Sequence, residues 1–162
     1  MKRKSRATPL EERLTYRCLL IANRTSRFLA PMLESHGLSV TTWRVVAVIG
    51  RYAPLSAKEA ATRSSTDAFQ ISRAIDYLAK KKLIRRELDK NDKRRVQLVL
   101  TPSGHRLHDE ISSAISSIED ELLAGLAQKS RELLLSALDD IEKRGQAMAS
   151  SSLTWKDFAR DR

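Results

Sequence analysis

The chain has 162 residues and a formal net charge of +10; 41% of its residues are apolar and 5% aromatic. This length suits one domain with room for a core, and the basic balance points to a polyanionic partner. A lone cysteine, Cys18, excludes an intrachain disulfide and a multi-cysteine metal site. No apolar run reaches transmembrane length, and no apolar stretch follows MKRKSR as it would in a signal peptide, so a cytoplasmic protein is expected.

After a basic N-terminal tail, a long helix is expected from about Leu10 to His36. Leu14, Cys18, Ile21, Thr25, Phe28 and Met32 recur at alternating spacings of four and three, a stripe that faces a core or a partner. Pro31 should kink or reshape this helix, and Gly37 is a natural stop. Ser39 can cap a second helix through Arg51, with Trp43, Val46 and Ala47 or Val48 inward. Pro54 and Leu55 form a short extended link with the character of a third, edge strand. Ser56 and Glu59 make a capping box that opens a helix over about 56–63. Ser64, Ser65 and Thr66 then make a turn and cap the next helix, whose open N-terminus can accept a phosphate.

Residues 67–81 place Ile71, Ala74, Ile75 and Leu78 on one face. Gln70, Arg73, Tyr77 and Lys80 lie on the other. Arginine and glutamine at this spacing can reach base edges, while lysine and tyrosine suit phosphates. Gln70, Ser72 and Arg73 are therefore candidate base contacts. Phe69 is expected to pack against residues 56–63, with a thymine methyl as its alternative neighbour. The period then changes to two: Ile84, Arg86 and Leu88, then Val96, Leu98 and Leu100, mark two strands. Between them lies a polar turn tipped with Lys93, Arg94 and Arg95. A helix able to enter a major groove, joined to a basic hairpin able to reach the backbone or minor groove, is a winged helix-turn-helix. Lys80, Lys81, Lys82, Arg85 and Arg86 add a charge run suited to phosphates.

Thr101 and Pro102 are an N-cap and N1 pair. The helix they open runs to about Leu126, with Leu107, Ile111, Ala114 or Ile115, Ile118 and Leu122 on one face. A last helix over about 129–148 carries Leu134, Leu138, Ile141 and Met148 in a stripe. Charge is segregated: residues 51–95 carry +7 and residues 1–50 carry +6, against −4 over 102–153. A polyanion would dock on the first part and be repelled by the second. The two late helices could close the monomer or pair with a second copy. Pairing is preferred, because helix-turn-helix proteins gain affinity from two half-sites.

The stretch DKNDKRRVQLVLTPSG resembles the wing signature of the MarR family of transcriptional regulators. Asp89, Asp92, Arg94, Leu100, Thr101 and Gly104 fit the pattern in register. LSVTTWRVV (38–46) resembles the start of the family's second helix. One departure is Lys82, where the family usually has glycine; a left-handed conformation there costs a non-glycine residue roughly 1 kcal/mol. The resemblance implies a dimer formed through the terminal helices, and an Arg94 inserted into a minor groove. It also implies a pocket for phenolic or aromatic acids near the first two helices. There Trp43 would offer an apolar wall and Arg17 or Arg44 a partner for a carboxylate. Some relatives sense peroxide with a cysteine in the first helix. By register that position falls on Tyr16, and Cys18 itself lies on the apolar stripe, where a buried thiol is inert.

The expected fold is mainly α with a small β-hairpin wing. The DNA-binding lobe spans about 39–101, dimerisation helices span about 10–37 and 102–148, and a tail spans 149–162, whose Leu153, Trp155 and Phe158 can pack on a dimer. The expected function is a sequence-specific DNA-binding regulator: a homodimeric repressor on double-stranded DNA, with Ser65, Thr66, Gln70, Ser72, Arg73, Tyr77, Lys93, Arg94 and Arg95 at the interface. A small aromatic carboxylate or phenol would release it. Rival readings are a nonspecific or architectural DNA binder without effector, and a thiol sensor through Cys18. No nucleophile–base pair, carboxylate pair or glycine-rich phosphate loop suggests an enzyme or a cofactor. His105 and His108 lack a further ligand for a metal.

Overall fold

In the computed structural model, which describes residues 8–89 and 92–157, the chain folds as α1 (Leu14–Ser35), α2 (Val40–Tyr52), α3 (Ala57–Ser64), α4 (Ala68–Lys80), β1 (Ile84–Leu88), β2 (Val96–Leu100), α5 (Pro102–Leu122) and α6 (Gln128–Ala149). The basic residues 1–7, Lys90 and Asn91 of the wing turn, and Phe158 lie outside the described residues, as does the side chain of Trp155. Contacts divide the chain into a unit ending at Ser116 and a unit beginning at Ser117.

In the first unit, one apolar face from each of α1 to α5 and from both strands builds a single core. Leu33, Ile49, Leu78, Leu98 and Ile111 are each less than 2% exposed. Burying side chains of this size contributes roughly 2 kcal/mol apiece. The expected inward face of α4 is present, with Ile71, Ala74, Ile75 and Leu78 buried; in the hairpin Ile84, Leu98 and Leu100 are buried, while Leu88 and Val96, paired at the end nearest the turn, are exposed. In α2 the buried set is Trp43, Val45, Val46 and Ile49, with Ala47 and Val48 only partly covered. The hairpin is antiparallel, pairing Ile84 with Leu100, Arg86 with Leu98 and Leu88 with Val96. The anticipated third strand is a single bridge, in which Leu98 N–H donates to the Leu55 carbonyl at 2.8 Å.

Three helices stop the same way. Gly37 (φ 70°), Ser65 (φ 50°) and Lys82 (φ 57°) are left-handed. The residues that follow them bond back across the last turn: Leu38 to Leu33, Thr66 to Ala61 and Leu83 to Leu78. These are Schellman ends, which satisfy carbonyls the helix leaves open.

Some boundaries differ from expectation. Leu10–Glu12 form a separate 3-10 turn, and Arg13, extended at φ −74° and ψ 129°, divides it from α1. Pro31 leaves α1 one continuous helix. It lies on the exposed side, where the carbonyl it leaves unpaired can meet water. Most of the apolar stripe of α1 stays outside the core: Leu14, Ile21 and Phe28 are exposed, Phe28 by 71%, while Met32 at its end packs against the core and Leu33 is buried in it. The helix α5 ends at Leu122 rather than Leu126, because the chain turns through Gly125 at φ 83°.

The second unit contains the end of α5, the turn and α6. Arg131 secures the turn, with its guanidinium 3.3 Å from Asp120 and donating to the Leu123 carbonyl at 3.1 Å. Leu134, Leu138, Ile141 and Met148 of α6 are exposed, and α6 has no buried residue.

Candidate nucleic-acid interface

The helix α4 starts from a side chain that the sequence reading passed over. Asp67, not the preceding serines and threonine, is its N-cap: the carboxylate accepts from the N–H groups of Phe69 (2.9 Å) and Gln70 (2.8 Å). Ser64 is buried and hydrogen-bonds the Ala60 carbonyl at 2.7 Å. Thr66 donates to the Ser64 carbonyl at 3.2 Å, so its hydroxyl works within the turn. Ser65 is exposed at the left-handed corner.

The outward face of α4 carries Phe69, Gln70, Ser72, Arg73, Asp76, Tyr77 and Lys80, all exposed. Among the described residues, the side chains of Gln70 and Ser72 make no hydrogen bond, which leaves them open to an incoming partner. The Arg73 guanidinium lies over the Phe69 ring, 5.5 Å from its centroid. Phe69 is 69% exposed rather than packed against α3. Tyr77 differs from the phosphate ligand expected of it. Its hydroxyl donates to the Gly37 carbonyl, and the Lys81 ammonium lies 5.7 Å above its ring. The side chain therefore struts the α1–α2 corner against α4.

Two aspartates shape the wing turn. Asp89 accepts from Asp92 N–H at 3.1 Å and from the Gln97 side chain, and Asp92 accepts from Arg94 N–H at 3.0 Å. Arg95 is 3.4 Å from the Asp92 carboxylate. Lys93 and Arg94 are exposed, with no side-chain partner among the described residues. Further down, Arg85 pairs with Glu87 and Arg86 with Asp76, each at 2.6 Å. The second pair ties β1 to the outward face of α4.

The wing's base is equally specific. Thr101 accepts from Gly104 N–H at 3.1 Å and donates to the Lys82 carbonyl at 2.7 Å, and Ser103 donates to the same carbonyl at 3.0 Å. A Cβ on Gly104 would stand 2.0 Å from the Leu83 carbonyl oxygen, so only glycine fits there.

Of the three residues named for an effector pocket, one lies in the core and two at the surface. Trp43 is a core residue, 8% exposed, with its ring 5.9 Å from the His108 ring. Arg17 and Arg44 are exposed. Two grooves flank α4. One, of about 420 Å³, is lined by Ser39, Thr42, Gln70, Arg73 and Tyr77; the other, of about 520 Å³, lies between α3, α4 and the wing. Cys18 is exposed rather than buried, because the face of α1 that carries it is open. His105 is exposed, while His108 fills the space left by Gly50, where a Cβ would come within 2.5 Å of its ring. His36, which the sequence did not single out, joins α1 to α5. Its Nδ1 is 2.9 Å from the Met32 carbonyl and its Nε2 is 3.1 Å from Glu110. The Met32 carbonyl, then the Glu110 carboxylate, raise its pKa above the usual 6.5.

Known proteins match this arrangement. The sequence model of the MarR family matches residues 36–95. The HTH-type transcriptional regulator BilQ of Clostridium symbiosum is 23% identical over 138 residues, covering 85% of this chain and 96% of that protein. Among solved structures, a MarR family transcriptional regulator from Silicibacter pomeroyi superposes with a TM-score of 0.79 at 25% identity, covering 86% of this chain and 95% of the other. At lower identity the fold alone is shared. The S. aureus MepR–DNA complex gives a TM-score of 0.72 at 20% identity, covering 83% and 97%. The PcaV regulator of Streptomyces coelicolor, solved with its natural ligand, gives 0.69 at 19% identity, covering 85% and 96%.

Proposed function

Because this chain belongs to the MarR family of winged helix-turn-helix transcriptional regulators, we propose that it works as a homodimeric repressor, bound in the cytoplasm to a palindromic operator until a small aromatic carboxylate or phenol releases it. It is a DNA-binding regulator and not an enzyme. The observation that carries the finer reading is the surface shared by α4 and the wing. Gln70, Ser72 and Arg73 stand open on one helix face, and Lys93 and Arg94 stand open on the adjoining hairpin tip. Two copies related by a two-fold axis would set two α4 helices into successive major grooves. Gln70 suits adenine and Arg73 guanine, while Ser65 would meet a backbone phosphate and Arg94 a flanking minor groove. The open apolar stripes of α1 and of α6 supply surface for the second copy.

The effector half of the reading rests on the groove containing Gln70 and Arg73. A carboxylate bound by Arg73 would take from DNA the side chain proposed to read it. A ligand shifts occupancy only by its differential affinity for the free and DNA-bound forms, and this competition supplies such a difference.

The test is titration of the protein on the promoter region beside its own gene, at fixed salt, with a panel of aromatic carboxylates, phenols and peroxide. Release by a carboxylate, lost in Arg73→Lys, supports the reading. Equal affinity for promoter and random DNA would instead make the protein a nonspecific binder. Release by peroxide alone, lost in Cys18→Ala, would make the exposed thiol the sensor.

A further inference from the structure

Resting on the DNA-binding reading above, we infer that Phe69 is a specificity-determining residue that reads the 5-methyl group of a thymine and steers Arg73 toward the neighbouring base pair. At about 100° per residue, Phe69 lies nearly opposite the middle of the buried stripe formed by Ile71, Ala74, Ile75 and Leu78. It sits in the first turn of α4, where Asp67 caps the adjacent N–H groups. The first turn of a recognition helix is the part that meets base edges.

A phenyl ring 69% exposed on a polar helix face adds nothing to the core. Its position is explained by what it would cover. In a major groove the thymine methyl is the apolar group within reach, and an apolar side chain set against it excludes water from both. The ring also carries the Arg73 guanidinium at 5.5 Å from its centroid, one turn further along. That contact limits the arginine's rotamers before DNA arrives, so less freedom is lost on binding. Phe69 and Arg73 thus form one reading unit, with an apolar contact to one base pair and a forked donor to the next.

The experiment uses the full-length protein and the duplex that it enriches from a randomised pool. Each thymine in turn is replaced by deoxyuridine, which removes only the methyl. The wild type should bind roughly fourfold more weakly at one thymine per half-site, the worth of one buried methyl group. Phe69→Ala should melt at the wild-type temperature and bind the thymine and uracil duplexes equally. Arg73→Ala should keep the thymine-to-uracil ratio while losing preference at the adjacent guanine. Enrichment followed by wild-type indifference to every replacement overturns the inference. So does an unchanged ratio in Phe69→Ala, or a ratio abolished by Arg73→Ala. Failure to enrich any duplex would overturn the sequence-specific reading itself, and this inference with it.

Discussion

Lys82 occupies a left-handed position at φ 57° that closes the C-terminus of α4. Lysine carries a Cβ penalty there that glycine does not, partly offset by glycine's larger unfolded-state entropy. Lys82→Gly should therefore raise unfolding free energy by up to about 1 kcal/mol. Chemical denaturation should register this as a higher midpoint at unchanged slope. His36 makes a second prediction. Its pKa is raised in the fold, by the Met32 carbonyl first and the Glu110 carboxylate second, so the stabilisation from the charged ring is fully present below the unfolded value of 6.5 and is lost as pH climbs through the higher folded value. The stability difference between wild type and His36→Gln should shrink as pH is raised above that value, and a pH-independent difference would remove the charge from the explanation. Single side chains were the least legible part of the sequence. The left-handed turn at Lys82 could be anticipated from the residue that the family prefers there. The link from His36 to Glu110 could not, because 74 positions separate the two. Trp43 lies inward, as the spacing on α2 expects, but its ring neighbour His108, 65 positions on, could not be named from the sequence.

At the scale of elements, the hairpin was legible to the residue. Its period-two pattern determines which side chains share a face, and slipping the register by one would expose Leu98 and Leu100. The wing turn was legible in its ends, Asp89 and Asp92, whose carboxylates accept the backbone N–H groups that point inward. Arg94→Ala removes a charge with no partner among the described residues, so the melting temperature should not change. Its dependence of log affinity on log salt should flatten by about 1 per wing. An unaltered slope would take Arg94 out of the DNA contact. The start of α4 was less legible, because four consecutive residues, Ser64 to Asp67, can all cap a helix. The left-handed corner at Ser65 aims only Asp67 at the open N–H groups. Phe69 was misjudged because an apolar residue two positions before a buried stripe is normally counted with it.

For the whole molecule, periodicity identified the stripes of α1 and α6 but could not say what covers them, since a seam between two copies and a seam within one copy have the same spacing. Both stripes are open in the single chain. Ending the chain at Ala127 should yield a monomer with weak operator binding, measurable by sedimentation, because α6 would no longer contribute to pairing. A stable dimer after truncation would move the interface to α1 and α5. The net charge of +10 also needs rereading against the ion pairs. Arg85, Arg86 and Arg95 each stand beside a carboxylate, on Glu87, Asp76 and Asp92. A guanidinium that brings its own anion to the duplex displaces little of the duplex's counterion cloud. These three pairs should therefore shorten each stay on random sequence relative to what the formal charge implies, and a protein searching a long chromosome would reach its site sooner.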